Sequence, residues 1–311
     1  MTPPPTPSHP TVDVIIASRD RIELLQKSVA AIAAQDYPGS IRTTVVFDNA
    51  PLRFDLEHST GSRTVRVLAN TRTAGLPGAR NTGLLAATAP WVGFCDDDDV
   101  WRPQKLTEQL ATIRERNAHG CVSGVEVHYG DHRKIRIPNT QEITVTALSG
   151  SRLTGAHPST YVFDRNWLLT TVGLVDEDLP YGYGEDYDLL LRAAQAGLIA
   201  VHSAVGADIL WHPGGSYFSQ RWEAMADGLE YLLSKHPVIL ENRRGNAWME
   251  GQRAFALAAQ GHHRGSAIRT AYKSLSLDCR EPRAYLALMV AAKLLKPAKV
   301  IKALNARGRG I

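Results

Sequence analysis

Residues 91–101 read Trp-Val-Gly-Phe-Cys-Asp-Asp-Asp-Asp-Val-Trp, and their reading decides the fold. Trp91 to Cys95 has the apolar body of a short buried strand, broken only by Gly93. Four carboxylates, Asp96 to Asp99, follow at the point where that strand leaves its sheet. Like charges packed so closely repel unless a cation or strong donors share them. In open α/β sheets the crevice at the carboxyl ends of the strands is the expected ligand site. A hard divalent cation bridging phosphate oxygens would make chemical use of the cluster. An acidic surface turn is the structural alternative.

Upstream, Val12 to Ala17 is a strand, and Ser18-Arg19-Asp20-Arg21 turns it into a helix with Ile22, Leu25, Val29 and Ile32 on one stripe. Asp20 is a candidate cap for that helix or a ligand. Tyr37-Pro38-Gly39 stops it. Ile41 to Phe47 forms the next strand, ending in Asp48-Asn49-Ala50, and Val65 to Leu68 a third. Strand, helix, strand predicts parallel pairing through a right-handed crossover. The stretch Gly75-Leu76-Pro77-Gly78-Ala79-Arg80-Asn81-Thr82-Gly83 predicts a tight loop feeding a helix at Leu84 to Ala86. It is neither the dinucleotide fingerprint nor a P-loop. Arg80 near a helix start opposes the helix dipole unless an anion such as phosphate offsets it.

Downstream, Pro103 suits the first turn of a helix using Leu106, Leu110 and Ile113. Residues 121–128, 133–137 and 143–148 read as strands, and 160–163 as a short one before a helix at Trp167. The second informative stretch is Leu179 to Arg192, a Gly- and aromatic-rich loop that opens into a helix with Glu185 and Asp186 in its first turn. The dipole alone accounts for both acids. Two acidic clusters, each beside a glycine-rich loop, fit a shared site better. A strand at 198–201 leads, after Val205 to Leu210, to Trp211-His212-Pro213-Gly214-Gly215, where His212 either packs or reaches a metal or diphosphate. From Gln220 onward the pattern is helical. The implied organisation is a tail at 1–10, an α/β catalytic domain at 11–240 and a basic helical extension at 241–311.

With 311 residues, 44% apolar and 21% charged, the chain is folded rather than disordered. Cys95, Cys121 and Cys279 have neither metal-ligand spacing nor a disulfide framework, and Cys95 and Cys121, in strand-like runs, read as reduced core residues of a cytoplasmic protein. The N-terminal Met-Thr-Pro-Pro-Pro lacks the features of a secretory signal, and the longest C-terminal apolar run ends at Lys293, too short for a bilayer. Charge is divided: residues 241–311 carry 14 Lys and Arg against 4 acids, and residues 1–240 carry 21 against 27. The basic part lacks interleaved aromatics, which argues against nucleic acid as a partner. Lys293, Lys296, Lys299 and Lys302 recur beside Leu294, Leu295, Val300 and Ile301, the pattern of peripheral contact with an anionic membrane surface.

Taken in order, Val14 to Arg21, Val45 to Asn49, Gly78 to Gly83, Phe94 to Asp99 and Gly184 to Leu189 resemble the inverting, nucleotide-sugar-dependent glycosyltransferases of family 2, over roughly residues 11–220. The resemblance implies a GT-A fold: a mixed, mostly parallel sheet flanked by helices, here with a C-terminal helical extension. It also implies Mn²⁺ or Mg²⁺ and a nucleoside-diphosphate sugar as donor, of uridine or thymidine type. Asp48 would receive the base, with Ser18 and Arg21 beside base and ribose. Arg80 would approach the diphosphate, and Asp96 and Asp97 the donor. Asp98 is the foremost metal ligand, Asp99 its support, and His212 a late contributor. Asp186 is implied as catalytic base, oriented by Glu185. The segment 149–184 would line the acceptor, with His157, Tyr181 and Tyr183 available to a glycan, lipid-linked or small-molecule hydroxyl. Two other readings stand beside this one: a sugar-nucleotide nucleotidyltransferase, which would want a glycine-rich loop after the first strand, and a non-catalytic nucleotide- or nucleic-acid-binding protein.

Overall fold

Short runs of Val and Ile set the sheet, and the helices cover its two faces. A computed structural model describes residues 9–211 and 221–306, with side chains as far as Ala303. The first half runs β1 (Val12–Ser18), α1 (Ile22–Ala33), β2 (Ile41–Phe47), β3 (His58–Thr60), β4 (Arg63–Ala69), α2 (Leu76–Ala86), β5 (Trp91–Asp96), β6 (Val100–Trp101) and α3 (Lys105–Arg116). Then come β7 (Gly120–Tyr129), β8 (His132–Arg136), β9 (Glu142–Ile143), α4 (Val145–Gly150), β10 (Val162–Asp164), α5 (Arg165–Trp167), α6 (Glu185–Ala196) and β11 (Ile199–Leu210). Six helices follow: α7 (Trp222–Lys235), α8 (Pro237–Glu241), α9 (Arg243–Gln260), α10 (Arg264–Leu277), α11 (Pro282–Ala291) and α12 (Pro297–Ala306).

The sheet order is β3-β4-β2-β1-β5-β10-β7-β11-β6. β1 pairs in parallel with β2 and β5, and β2 with β4, as the strand–helix–strand order requires. β10 is antiparallel to both its neighbours and β11 parallel to β7, giving a mixed sheet. Alternation along β1 sends Val12, Val14 and Ile16 into the core under α1 and α3, and Ile15 into the opposite one. That second core is continuous from Ile15 and Phe94 through Leu190 on α6 to Phe255 on α9 and Ala287 on α11. The helices beyond residue 240 therefore share apolar packing with the sheet.

Four local expectations are corrected. Helix α2 begins at Leu76, so Gly78 and Arg80 lie inside it rather than in a loop. Gly78 is there because a Cβ would sit 1.9 Å from the Thr73 carbonyl oxygen. Residues 143–148 form the end of β9 and then helix α4, capped by the Thr144 side chain on the Ala147 amide. The strand expected at 198–201 runs on to Leu210 as β11, whose register slips against β7 between His202 and Ala207. Asp20 makes no cap: α1 starts after Arg21 without a side-chain capping bond.

Candidate active site

Since β1 pairs in parallel with β2 and β5, their carboxyl ends lie at one edge of the sheet, where the acidic turn follows β5. Asp97 to Asp99 turn the chain back into β6, closed by the Asp99 amide on the Asp96 carbonyl at 3.2 Å. Each carboxylate takes a different partner. Asp96 accepts from Arg80 Nη2 at 2.6 Å. Asp97 is buried, accepting from Ser18 Oγ at 2.6 Å and from Arg21. Asp98 pairs with the other Arg21 nitrogen. Asp99, 1% exposed, accepts from Ser159 Oγ at 2.5 Å and lies 3.5 Å from His157 Nδ1. Burial pushes the Asp97 carboxyl up despite Arg21. Burial, with Asp96 and Asp98 beside it, pushes Asp99 well above the usual carboxylate range.

Beyond β2, Asp48 accepts from the Asn70 side chain at 2.8 Å and the Gly75 amide at 3.0 Å, tying the loop before α2 to the strand end. On the far wall, the chain reaches α6 through Tyr181 (φ 56°), Gly182 and Gly184, all in the left-handed region. This turn delivers Glu185 and Asp186 into the crevice. Arg80 joins the two acidic clusters, donating to both Asp96 and Glu185. Burial raises the Glu185 carboxyl even with Arg80 opposite it. Asp186 behaves oppositely: burial disfavours its charge, but Arg152, donating at 2.7 and 2.8 Å, outweighs that and holds it well below the ordinary value.

Thus Ser18, Arg21, Arg80, Asp96 to Asp99, His157, Glu185 and Asp186 form one charge network, with Asp48 at its β2 edge. Tyr183 is buried against Gly228 of α7. Tyr181 is 56% exposed and lines a cleft of about 300 Å³ with Trp222, Gln260 and His262. His212 lies outside the described residues. Sequence reasoning missed Arg152, Ser159 and Asn70. Arg152 sits in Ser-Gly-Ser-Arg, a stretch with no motif, and reaches the site only because α4 packs beside α6.

Asp96, Asp99 and His157 place ligand atoms within 4.8 Å of one another. Hard oxygen donors with one imidazole suit Mg²⁺ or Mn²⁺, and a cation would relieve the crowding that raises Asp99. The donor set therefore fits the metal. A second group, Glu126, His128 and Asp208, already holds Arg102 between its two carboxylates, an ion-pair cluster on β7 and β11.

Residues 13–169 match the sequence profile described as Glycosyl transferase family 2. The succinoglycan biosynthesis protein ExoO of Rhizobium meliloti is 29% identical over 66% of this chain and 62% of its own length, so this chain spans under two thirds of that relative. An Escherichia coli protein, the UDP-Glc:alpha-D-GlcNAc-diphosphoundecaprenol beta-1,3-glucosyltransferase WfgD, is 23% identical over 74% of this chain and 90% of its own. Among solved structures, S. aureus TarS 1-349 in complex with UDP-GlcNAc superposes with a TM-score of 0.61 at 18% identity, covering 91% of each chain. That likeness is one of fold.

Proposed function

Because this chain belongs to glycosyl transferase family 2, we propose that it transfers a sugar from a nucleoside-diphosphate sugar to an acceptor hydroxyl with inversion. The observation that carries the reading is Arg80, which links the acidic turn to Glu185 and so puts cation chemistry and base chemistry in one cleft. Asp48, Ser18 and Arg21 are assigned to the base and ribose. Asp98 and Asp99, with Asp96 and His157, would hold Mn²⁺ or Mg²⁺, and His212 remains a candidate from sequence. Bound there, the ion supplies positive charge for the departing diphosphate.

Asp186 does the proton chemistry. Its carboxylate takes the acceptor O–H proton as that oxygen bonds to the anomeric carbon, and the bond from that carbon to phosphate breaks with its electron pair on the nucleoside diphosphate. Attack opposite the leaving group inverts the centre. A base held this far below neutral is weak, so orientation and charge stabilisation have to carry most of the rate. Uridine and a lipid-linked acceptor are favoured by the names of the relatives: UDP-Glc and a diphosphoundecaprenol acceptor in one, bound UDP-GlcNAc in another. With His157 given to the metal group, the Tyr181 cleft is assigned to the acceptor, with Tyr183 behind it. We assign the C-terminal helices to an anionic membrane surface and the protein to the inner face of the cell membrane.

A panel of nucleotide sugars, screened for hydrolysis with Mn²⁺ and Mg²⁺, tests the reading. Release of nucleoside diphosphate rather than pyrophosphate separates it from nucleotidyl transfer. Asp186→Asn is expected to bind donor normally by calorimetry yet lose turnover by about 10²-fold or more. Asp98→Ala is expected to weaken metal-dependent donor binding. Unchanged turnover in Asp186→Asn overturns the base assignment.

A further inference from the structure

We infer that Arg152 is the positioning residue for the catalytic carboxylate: it holds Asp186 oriented toward the acceptor. The inference rests on Asp186 being the base. Arg152 Nη2 donates to both Asp186 oxygens, at 2.7 and 2.8 Å, and among the described residues Asp186 is its sole hydrogen-bond acceptor.

The loop that carries it is built to hold it there. Arg152 follows α4, and the next residue, Leu153, is left-handed at φ 45°. That conformation is costly for a branched apolar side chain and persists only where surroundings impose it. Leu153 packs against the large core, and its carbonyl accepts from the Ala156 amide at 2.7 Å. Backbone strain at Leu153 therefore accompanies the placement of Arg152 over α6.

Every group facing Asp186 bears on its charge. Arg152 after α4, Arg80 on α2 and His157 favour the carboxylate, whereas Glu185 beside it repels. The Tyr161 hydroxyl is 3.4 Å from the Asp186 main-chain carbonyl, and Tyr183 interacts with both Arg152 and Asp186. Arg80 is already committed to Asp96 and Glu185. Arg152 is thus the one cation spent on Asp186 alone. Since one nitrogen serves both oxygens, each oxygen keeps a lone pair for an incoming hydroxyl.

The test compares Arg152→Gln and Arg152→Lys with the parent full-length protein. First, ¹³C-carboxyl-labelled aspartate is titrated by NMR without metal, the Asp186 signal being identified by its loss in Asp186→Asn. Arg152→Gln is expected to raise its midpoint by a unit or more. Second, hydrolysis of UDP-glucose, or whichever sugar of the panel is turned over, is followed against pH. The sign follows from the lowered value: the parent keeps its base ionised through the neutral range, and the acid limb of kcat moves up in Arg152→Gln. kcat is expected to fall about tenfold to a hundredfold, within what a general base supplies. Donor KM is expected to stay within twofold, and Arg152→Lys to recover part of the loss. An unmoved midpoint and limb, or a loss confined to donor KM, overturns the inference. If Asp186→Asn is inactive while Arg152→Gln titrates like the parent, this inference alone fails; if Asp186→Asn turns over normally, the base assignment fails with it.

Discussion

At the scale of single residues, the chain separates charges that function needs from charges that packing merely tolerates. Arg80 is 4% exposed but has two carboxylates to satisfy its fork. Lys105 is 1% exposed, and its Nζ has no hydrogen-bond partner among the described residues. Only the Trp101 ring, 3.8 Å away, offers it compensation. Burial pushes its amine down to about 7. A base whose folded value lies below its unfolded one, about 10.4, destabilises the fold wherever the unfolded chain is protonated. The penalty is full below pH of about 7 and fades as the pH approaches about 10.4. Lys105→Met is therefore expected to raise stability at pH 7 by about 1–4 kcal/mol and to flatten its dependence over that window. Urea unfolding at several pH values reads this directly, and an equal slope in both proteins refutes it. Lys105 was invisible as a special position in the sequence, where it reads as an ordinary polar residue at the start of a helix.

At the scale of elements, α2 shows a contact overruling a propensity. Glycine inside a helix costs about 1 kcal/mol relative to alanine, so Gly78→Ala should stabilise an isolated helix. Here the added carbon would meet the Thr73 carbonyl at 1.9 Å. Overpacking of this kind costs about 1–3 kcal/mol or more, and the contact wins. Gly78→Ala is expected to lower the urea midpoint, and donor affinity with it because Arg80 rides on the same turn. A stabilised variant would show that the loop at Thr73 yields easily. Strands β1, β2 and β5 were legible almost to the residue, being buried on both faces, whereas β4, with Arg66 exposed, runs Arg63–Ala69 beyond the Val65 to Leu68 expected. The start of α2 was not, because Gly and Pro there imitate a loop. Helix α4 was not either: β-branched residues at 143–146 imitate a strand, and what decides is the Thr144 cap and packing on α6 and α9. In α6, Asp188 is locked to His236 at 2.8 Å and Lys235 at 2.7 Å, coupling the helix that bears Asp186 to α7 and α8.

At the scale of the whole molecule, the C-terminal segment carries charge of one sign. From Pro282 onward the sequence contains Arg283, Lys293, Lys296, Lys299, Lys302, Arg307 and Arg309 and no acid. In this segment Tyr285 and Met289 on α11 and Leu294 beyond it are exposed, Leu294 by 72%. Among the described residues no helix is long and apolar enough to cross a membrane. Apolar side chains ringed by cations suit the boundary of an anionic bilayer. The full-length protein is expected to float with vesicles containing anionic lipid, to stay behind with zwitterionic ones, and to be released by high salt. A Met289→Ser/Leu294→Ser variant should float less without changing hydrolysis of free nucleotide sugar. Equal behaviour with both kinds of vesicle would remove the membrane assignment.

Sequence by itself determined the order of strands and helices, the acidic turn after β5 and the acid pair opening α6, because apolar period and local charge are properties of neighbours along the chain. Only the tertiary structure decided which charge answers which. That Arg21 takes Asp97 and Asp98, that Arg80 spans Asp96 and Glu185, and that Arg152 is reserved for Asp186 depends on side chains 16 to 105 residues apart. Buried carboxylates must find cations wherever the fold brings them, and no local pattern records that meeting.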